Sequence, residues 1–222
     1  MISVEVGPQH DEYKIHREVL VYHSEYFRAA LQGCWTENKE RKVIIEDLEP
    51  AAFNIFVDWL YTRRIPSTVV AWGGSQEDED NFSYSCRVSL LFFQTYVLAD
   101  RLGAQELLNA VNNWIVGYQA NSSPWYDTVI YAFDNIPAAR RILSMLVESH
   151  CRYSEEDDDA LHDGDHSLHT QLPNDFLFRV MKRYRQICED RDWDREMNLC
   201  DYHEHVSEEE RQKCKRKAEE DE

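Results

Sequence analysis

The run Tyr13-Lys14-Ile15-His16-Arg17-Glu18-Val19-Leu20-Val21-Tyr22-His23-Ser24-Glu25-Tyr26-Phe27 changes its periodicity halfway, and that change decides the fold class. Up to Ile15 apolar and polar residues alternate, as on a half-buried strand. Ile2, Val4 and Val6 alternate in the same way before Gly7-Pro8 opens a turn, so the two pieces read as a hairpin. From His16 the apolar residues cluster instead: Val19 to Tyr22 suggest one short helix. Ser24, a residue type whose hydroxyl caps orphan amides, suggests the start of a second that runs through Phe27, Ala30 and Leu31 and stops at Gly33.

Working outward, Val43 and Ile45 read as a third strand, and Glu49-Pro50 opens a helix with Phe53, Phe56, Val57 and Leu60 on one face. Residues 63–85 hold Pro66, Gly73-Gly74 and the acidic run Glu77 to Asp80 with no sustained period, and read as a long exposed loop insertion. Two helices follow, one carrying Val88, Leu91, Phe92, Thr95, Leu98 and Ala99 and closing at Gly103, the next carrying Leu107, Leu108, Val111, Trp114 and Ile115. Ser123-Pro124 and Ile136-Pro137 each look like helix starts. Residues 154–170 are acidic, poor in apolar side chains, and read as a mobile linker. Beyond Pro173, Phe176, Leu177, Val180, Met181, Tyr184, Ile187 and Cys188 keep a helical register, and a charged tail over 191–222 includes Ser207-x-x-Glu210, a capping-box pattern.

The 222 residues hold 24 Lys and Arg against 42 Asp and Glu, a formal charge of −18. Such a chain is repelled by polyphosphate and anionic membranes, so neither nucleic acid nor membrane is an expected partner. Thirteen of the negative charges lie in Glu77–Asp80, Glu155–Asp159 and Glu219–Glu222, which leaves −5 over the other 209 residues. The body is therefore nearly balanced, and the acidic runs serve solubility. No apolar run approaches the roughly 20 residues that span a bilayer, and the first residues show neither a basic nor an apolar leader region. The expectation is an intracellular protein, cytoplasmic or nuclear or both, with reduced cysteines.

Val4-x-Val6-Gly7, Tyr13-Lys-Ile-His16-Arg-Glu-Val-Leu20 and Ser24-Glu-Tyr-Phe27 are followed by Trp35-Thr-Glu37, Lys42-Val-Ile-Ile-Glu46, Pro50 through Trp59-Leu60-Tyr61-Thr62, and Tyr96-Val-Leu-Ala-Asp100-Arg-Leu102. In content and order, residues 2 to about 118 resemble a BTB/POZ domain; with the insertion and the helical remainder, the chain looks like the BTB-only proteins of filamentous fungi. The resemblance implies a mostly helical α/β fold, a short sheet capping a helical cluster, over residues 1–120. A helical extension would occupy 121–190 and the tail 191–222. It also implies a non-enzymatic scaffold that binds other proteins. Trp35 and Glu37 match the hydrophobic-x-Glu motif that BTB adaptors present to cullin-3 ubiquitin ligases, an apolar side chain beside a charged acceptor, which is the form of a binding hot spot. The alternative for these two residues is that Trp35 folds back onto the domain's own core. A ligase-independent scaffold or a transcription-related factor is the alternative at the level of function. A homodimer stays open, although the swapped form is not expected because the usual extra N-terminal helix does not precede Ile2.

No phosphate loop, nucleophile elbow, H-E-x-x-H helix or C-x-x-C pair occurs, so neither catalysis nor a small-molecule substrate is expected. His16 reads as a packed, hydrogen-bonded histidine at the strand-to-helix junction. One cluster carries metal chemistry: Cys200-x2-His203-x-His205-x8-Cys214 places two thiols and two imidazoles within fifteen residues. In an extended segment His203 and His205 point the same way, and a helix begun at Ser207 could bring Cys214 back towards Cys200, the donor set of a closed structural zinc site. The alternatives are chance occurrence in a charged tail, packing of Tyr202 and the histidines against the helical region, and a zinc-dependent enzyme or nucleic-acid module, the last opposed by the acidity.

Overall fold

The computed structural model describes residues 1–32, 42–74, 80–155, 168–191, 197–205 and 207–220. Two compact units emerge, Met1–Val111 and Asn112–Glu222. Among the described residues no helix is long and apolar enough to cross a membrane.

The first unit is built on β1 (Ile2–Val6), whose Ile2, Val4 and Val6 are buried. β1 pairs antiparallel with β2 (Asp11–Ile15), Val4 opposite Tyr13, and parallel with β3 (Lys42–Ile45), Val4 opposite Val43, giving the order β2-β1-β3. A parallel neighbour demands a crossover rather than a tight turn; its described part is α1 (Arg17–His23) and α2 (Glu25–Gln32). The β1–β2 turn needs a left-handed residue at Gly7, φ +74°, where a Cβ would also come within 2.9 Å of Pro50 Cγ.

Ser24 joins two elements. Its Oγ accepts from the Phe27 amide at 3.2 Å, capping α2, and donates to the Leu102 carbonyl at 2.5 Å, while its own amide closes α1 on the Leu20 carbonyl. α3 (Pro50–Thr62) buries Phe53, Phe56 and Leu60 as its spacing predicts, and Trp59 as well, while the fourth expected residue, Val57, is only half-buried. His16 is exposed rather than packed; its amide donates to Tyr61 Oη at 3.2 Å and its Nδ1 lies 3.0 Å from the same oxygen. The histidine is thus held at the end of α3 without being enclosed.

The stretch read as a loop over 63–85 is largely ordered. Thr68 Oγ1 caps a short helix, α4 (Val69–Gly73), by accepting from the Ala71 amide. Trp72 turns inward, its ring edge-on to Phe92 at 4.9 Å and its Nε1 donating to the Pro66 carbonyl. α5 (Asn81–Arg101) already begins at Asn81, with Asp80 Oδ1 accepting from the Ser83 amide. Local propensity gave no period here because two aromatics, Trp72 and Tyr84, do the anchoring. Residues 75–79, with most of the acidic run, lie outside the described set. α5 ends as expected at Gly103, which adopts φ +61°.

α6 (Gln105–Tyr118) contains the division between the units. In the second unit α7 (Tyr126–Asn135) and α8 (Arg141–Tyr153) precede α9 (Asn174–Asp190) and α10 (Glu208–Glu220). Pro137 does not start α8: residues 137–140 form a turn closed by the Arg140 amide on the Pro137 carbonyl. Val129, Val147, Cys151, Phe176, Val180 and Ile187 form the core joining α7, α8 and α9. The linker expected at 154–170 lies outside the described residues over 156–167; Leu168–Gln171 form a 3-10 turn.

Candidate functional site

The C-terminal Cys/His cluster is assembled by local geometry first. Asn198 Oδ1 accepts from the Cys200 amide and caps a 3-10 turn over Leu199–Asp201, which tucks Cys200 inward until it is 2% exposed. The segment is then pinned by side chains from α6 and α8: Asn112 Nδ2 donates to the Tyr202 carbonyl at 2.9 Å, Asn113 Oδ1 accepts from the Glu204 amide at 3.2 Å, and Arg141 donates to the Asp201 carbonyl at 3.2 Å. Ser207 Oγ accepts from the Glu210 amide at 3.2 Å, the half of the expected capping box that starts α10, and this helix carries Cys214 back to the turn.

Three of the four sequence-predicted residues, Cys200, His205 and Cys214, form one mutually close set, and His203 adjoins it through Cys214. Cys200 Sγ lies 3.7 Å from His205 Nε2, and His203 Nδ1 lies 3.2 Å from Cys214 Sγ. The donor atoms of Cys200, His205 and Cys214 lie within 4.8 Å of one another, with His203 approaching on the Cys214 side. The imidazoles stand nearly perpendicular, 87° apart, with centroids separated by 6.0 Å. Burial, and secondly the neighbouring His205, holds His203 below the usual histidine range, which favours a neutral ring with a lone pair to donate. A cavity of about 470 Å³, lined in part by Arg140, Arg141, His203, His205 and Arg211, opens beside the cluster.

A second polar centre in this unit escaped sequence reasoning. Glu148 on α8 is buried and accepts from Arg183 Nη2 at 2.8 Å, from Arg183 Nε in a shorter contact, and from Arg152 Nε at 2.5 Å. Burial raises the Glu148 pKa, but the hydrogen bonds from Arg183 and Arg152 outweigh it and leave the carboxyl below its ordinary range. Tyr202, whose phenol is pushed up to about 12 by burial and by Glu148, stays protonated. The only sequence signal was a glutamate on the apolar face of a helix, and its two cations lie 4 and 35 residues away.

Of the expected partner-binding residues, Trp35 and Glu37 lie outside the described set. Large apolar side chains stand exposed elsewhere. In the first unit Tyr22 is 75% and Val70 65% exposed. In the second, α9 divides its apolar residues: Phe176, Val180 and Ile187 are buried, whereas Leu177, Phe178 and Met181 face outward.

The first unit thus sets a three-stranded mixed sheet against helices. Residues 2–110 match the family model of the BTB/POZ domain, so this part of the chain is a BTB/POZ domain, a protein-interaction module. Similar curated proteins include Kelch-like protein 40b of Danio rerio, 40% identical over 57 residues, which is 26% of this chain and 9% of that protein. Kelch-like protein 30 of Mus musculus is 37% identical over 67 residues, 30% of this chain and 11% of that protein. BTB/POZ and MATH domain-containing protein 3 of Arabidopsis thaliana is 32% identical over 66 residues, 30% of this chain and 16% of that protein. The matched stretches thus span between 9% and 16% of these relatives' lengths.

Proposed function

We propose that the chain is a non-enzymatic adaptor whose BTB/POZ domain engages cullin-3 through Trp35 and Glu37 and whose helical second unit binds the protein to be brought to the ligase. The observation that carries this reading is the BTB/POZ match over residues 2–110 together with the Trp35-Thr36-Glu37 pattern inside it. The outward ridge Leu177, Phe178 and Met181 supports the second half, because large side chains at helical spacing that leave their own core uncovered are the raw material of a helix-in-groove or helix-on-helix contact. The insertion at 63–85 and the helical second unit support placing the chain with the fungal BTB-only type, working in the cytoplasm or nucleus.

The test is capture of purified cullin-3 by wild type, by Trp35→Ala/Glu37→Ala and by Phe178→Asp/Met181→Asp. Wild type and the α9 variant should bind cullin-3 alike, and the first variant should lose at least about tenfold in affinity, as expected for a hot spot worth 2 kcal/mol or more. Failure of the wild type to bind would leave a ligase-independent scaffold.

A further inference from the structure

α10 poses a physical problem. Its first residues are Glu208-Glu209-Glu210-Arg211-Gln212-Lys213-Cys214, and among them only Arg211 and Cys214 are even half-buried. A helix without an apolar face gains nothing from burial, and one of thirteen residues is marginal in water on its own. Yet it is set so that Cys214, about two turns on from its capped start, faces His203 at 3.2 Å, while the Arg211 carbonyl lies 3.9 Å from Cys200 Sγ. Thiol–imidazole hydrogen bonds are weak, so a stronger link through the cluster would add to what holds the helix.

We propose that Cys200, His203, His205 and Cys214 bind one zinc ion that staples α10 to the 198–205 segment. The donor set is two sulfurs and two nitrogens, which selects zinc in tetrahedral geometry over harder cations. Around zinc, with sulfur at about 2.3 Å and nitrogen at about 2.0–2.1 Å, donor atoms stand roughly 3.3–3.8 Å apart. The observed 3.7 Å between Cys200 and His205 matches such an edge, and the 3.2 Å between His203 and Cys214 nearly does. The remaining separations among Cys200, His205 and Cys214, all within 4.8 Å, close with side-chain adjustment of about 1 Å at most, while His203, outside that set, has to turn in from its contact with Cys214 to complete the four. The cluster is preorganised from the body side, since Cys200 is fixed by the Asn198 cap and Tyr202 and Glu204 by Asn112 and Asn113. The cavity beside His203 and His205 provides an entry path. Binding converts both thiols to thiolates and releases their two protons to solvent. With four protein ligands the site is closed and structural, with no position left for substrate.

The test uses the full-length protein. Elemental analysis should find one zinc per chain, and replacement by cobalt should give the visible absorption of a tetrahedral site with a thiolate charge-transfer band. Cys214→Ser should lower that band by half, and His203→Gln should keep it while weakening zinc binding at least 10-fold. Chelation should lower the wild-type melting temperature, and that of Cys214→Ser by less. Less than about 0.1 zinc per chain, no cobalt band and a melting temperature indifferent to chelation would overturn the proposal. Unchanged zinc affinity in His203→Gln would overturn the four-ligand form of the site.

Discussion

Ser24 shows how one side chain can serve two elements. Its capping role was legible because a short hydroxyl residue before a helical period satisfies an orphan amide locally. Its bond to the Leu102 carbonyl, 78 residues away, was not, because nothing local records which chain end will be brought alongside. Ser24→Ala should therefore cost more than a cap alone, about 2–3 kcal/mol, since it also strands a buried carbonyl; a urea-denaturation loss below about 1 kcal/mol would show that one of the two bonds contributes nothing. Glu148 is the opposite case, invisible in sequence and decisive in the second unit. Removing one member of a buried ion cluster leaves uncompensated charge, so Glu148→Gln should destabilise by about 3–5 kcal/mol at neutral pH. Because its folded pKa is depressed, the stabilisation is present above the unfolded value of about 4.3 and is lost as pH falls through the lower folded value. The gap between wild type and Glu148→Gln should accordingly narrow below about pH 4, and a constant gap down to the acid transition would contradict this account.

At the scale of elements, strong periodicity was reliable and its absence was misleading. α5 buries the residues its spacing predicts and α3 all of them but Val57, which is half-buried, because a 3.6-residue repeat of large apolar side chains has one way to leave water. The stretch 63–85 has no repeat, yet α4 forms in it, held by a Thr68 cap and by Trp72 against Phe92. Trp72→Ala should cost about 3–5 kcal/mol, whereas Val70→Ala, at a position 65% exposed, should stay within about 0.5 kcal/mol. Equal small effects in chemical denaturation would return this segment to the status of a loop. α9 reveals the complementary difficulty. Its seven in-register residues form a face wider than its own core can cover, so Phe176, Val180 and Ile187 enter the core of the second unit while Leu177 and Met181 stay outside. Periodicity identifies the apolar residues of a helix; the neighbours decide which of them are used.

Beyond single elements, thiol chemistry offers a readout of the whole second unit. Cys151 is buried and its thiol is pushed up to about 12 by desolvation and the nearby Glu148, so it carries almost no thiolate at neutral pH. Cys188 is exposed. Alkylation followed by mass spectrometry should label Cys188 first and Cys151 last, with Cys200 and Cys214 becoming reactive on chelation; early labelling of Cys151 in the native protein would mean that the second core opens readily. Taken by itself, the amino-acid sequence determined the strand-to-helix switch at Ile15–His16, the order of the BTB/POZ elements, the near neutrality of the body beneath its acidic runs, and the grouping of two thiols and two imidazoles within fifteen residues. All of these are local, because period, cap chemistry, charge and spacing are carried by neighbouring residues. Only the tertiary structure decided that Trp72 enters the core, that Glu148 meets Arg152 and Arg183, that α9 keeps half its apolar face outside, and that Cys214 returns to Cys200 and His203. Each of those outcomes depends on burial or pairing across a distance in the chain, where the free energy belongs to both partners and is written in the sequence of neither.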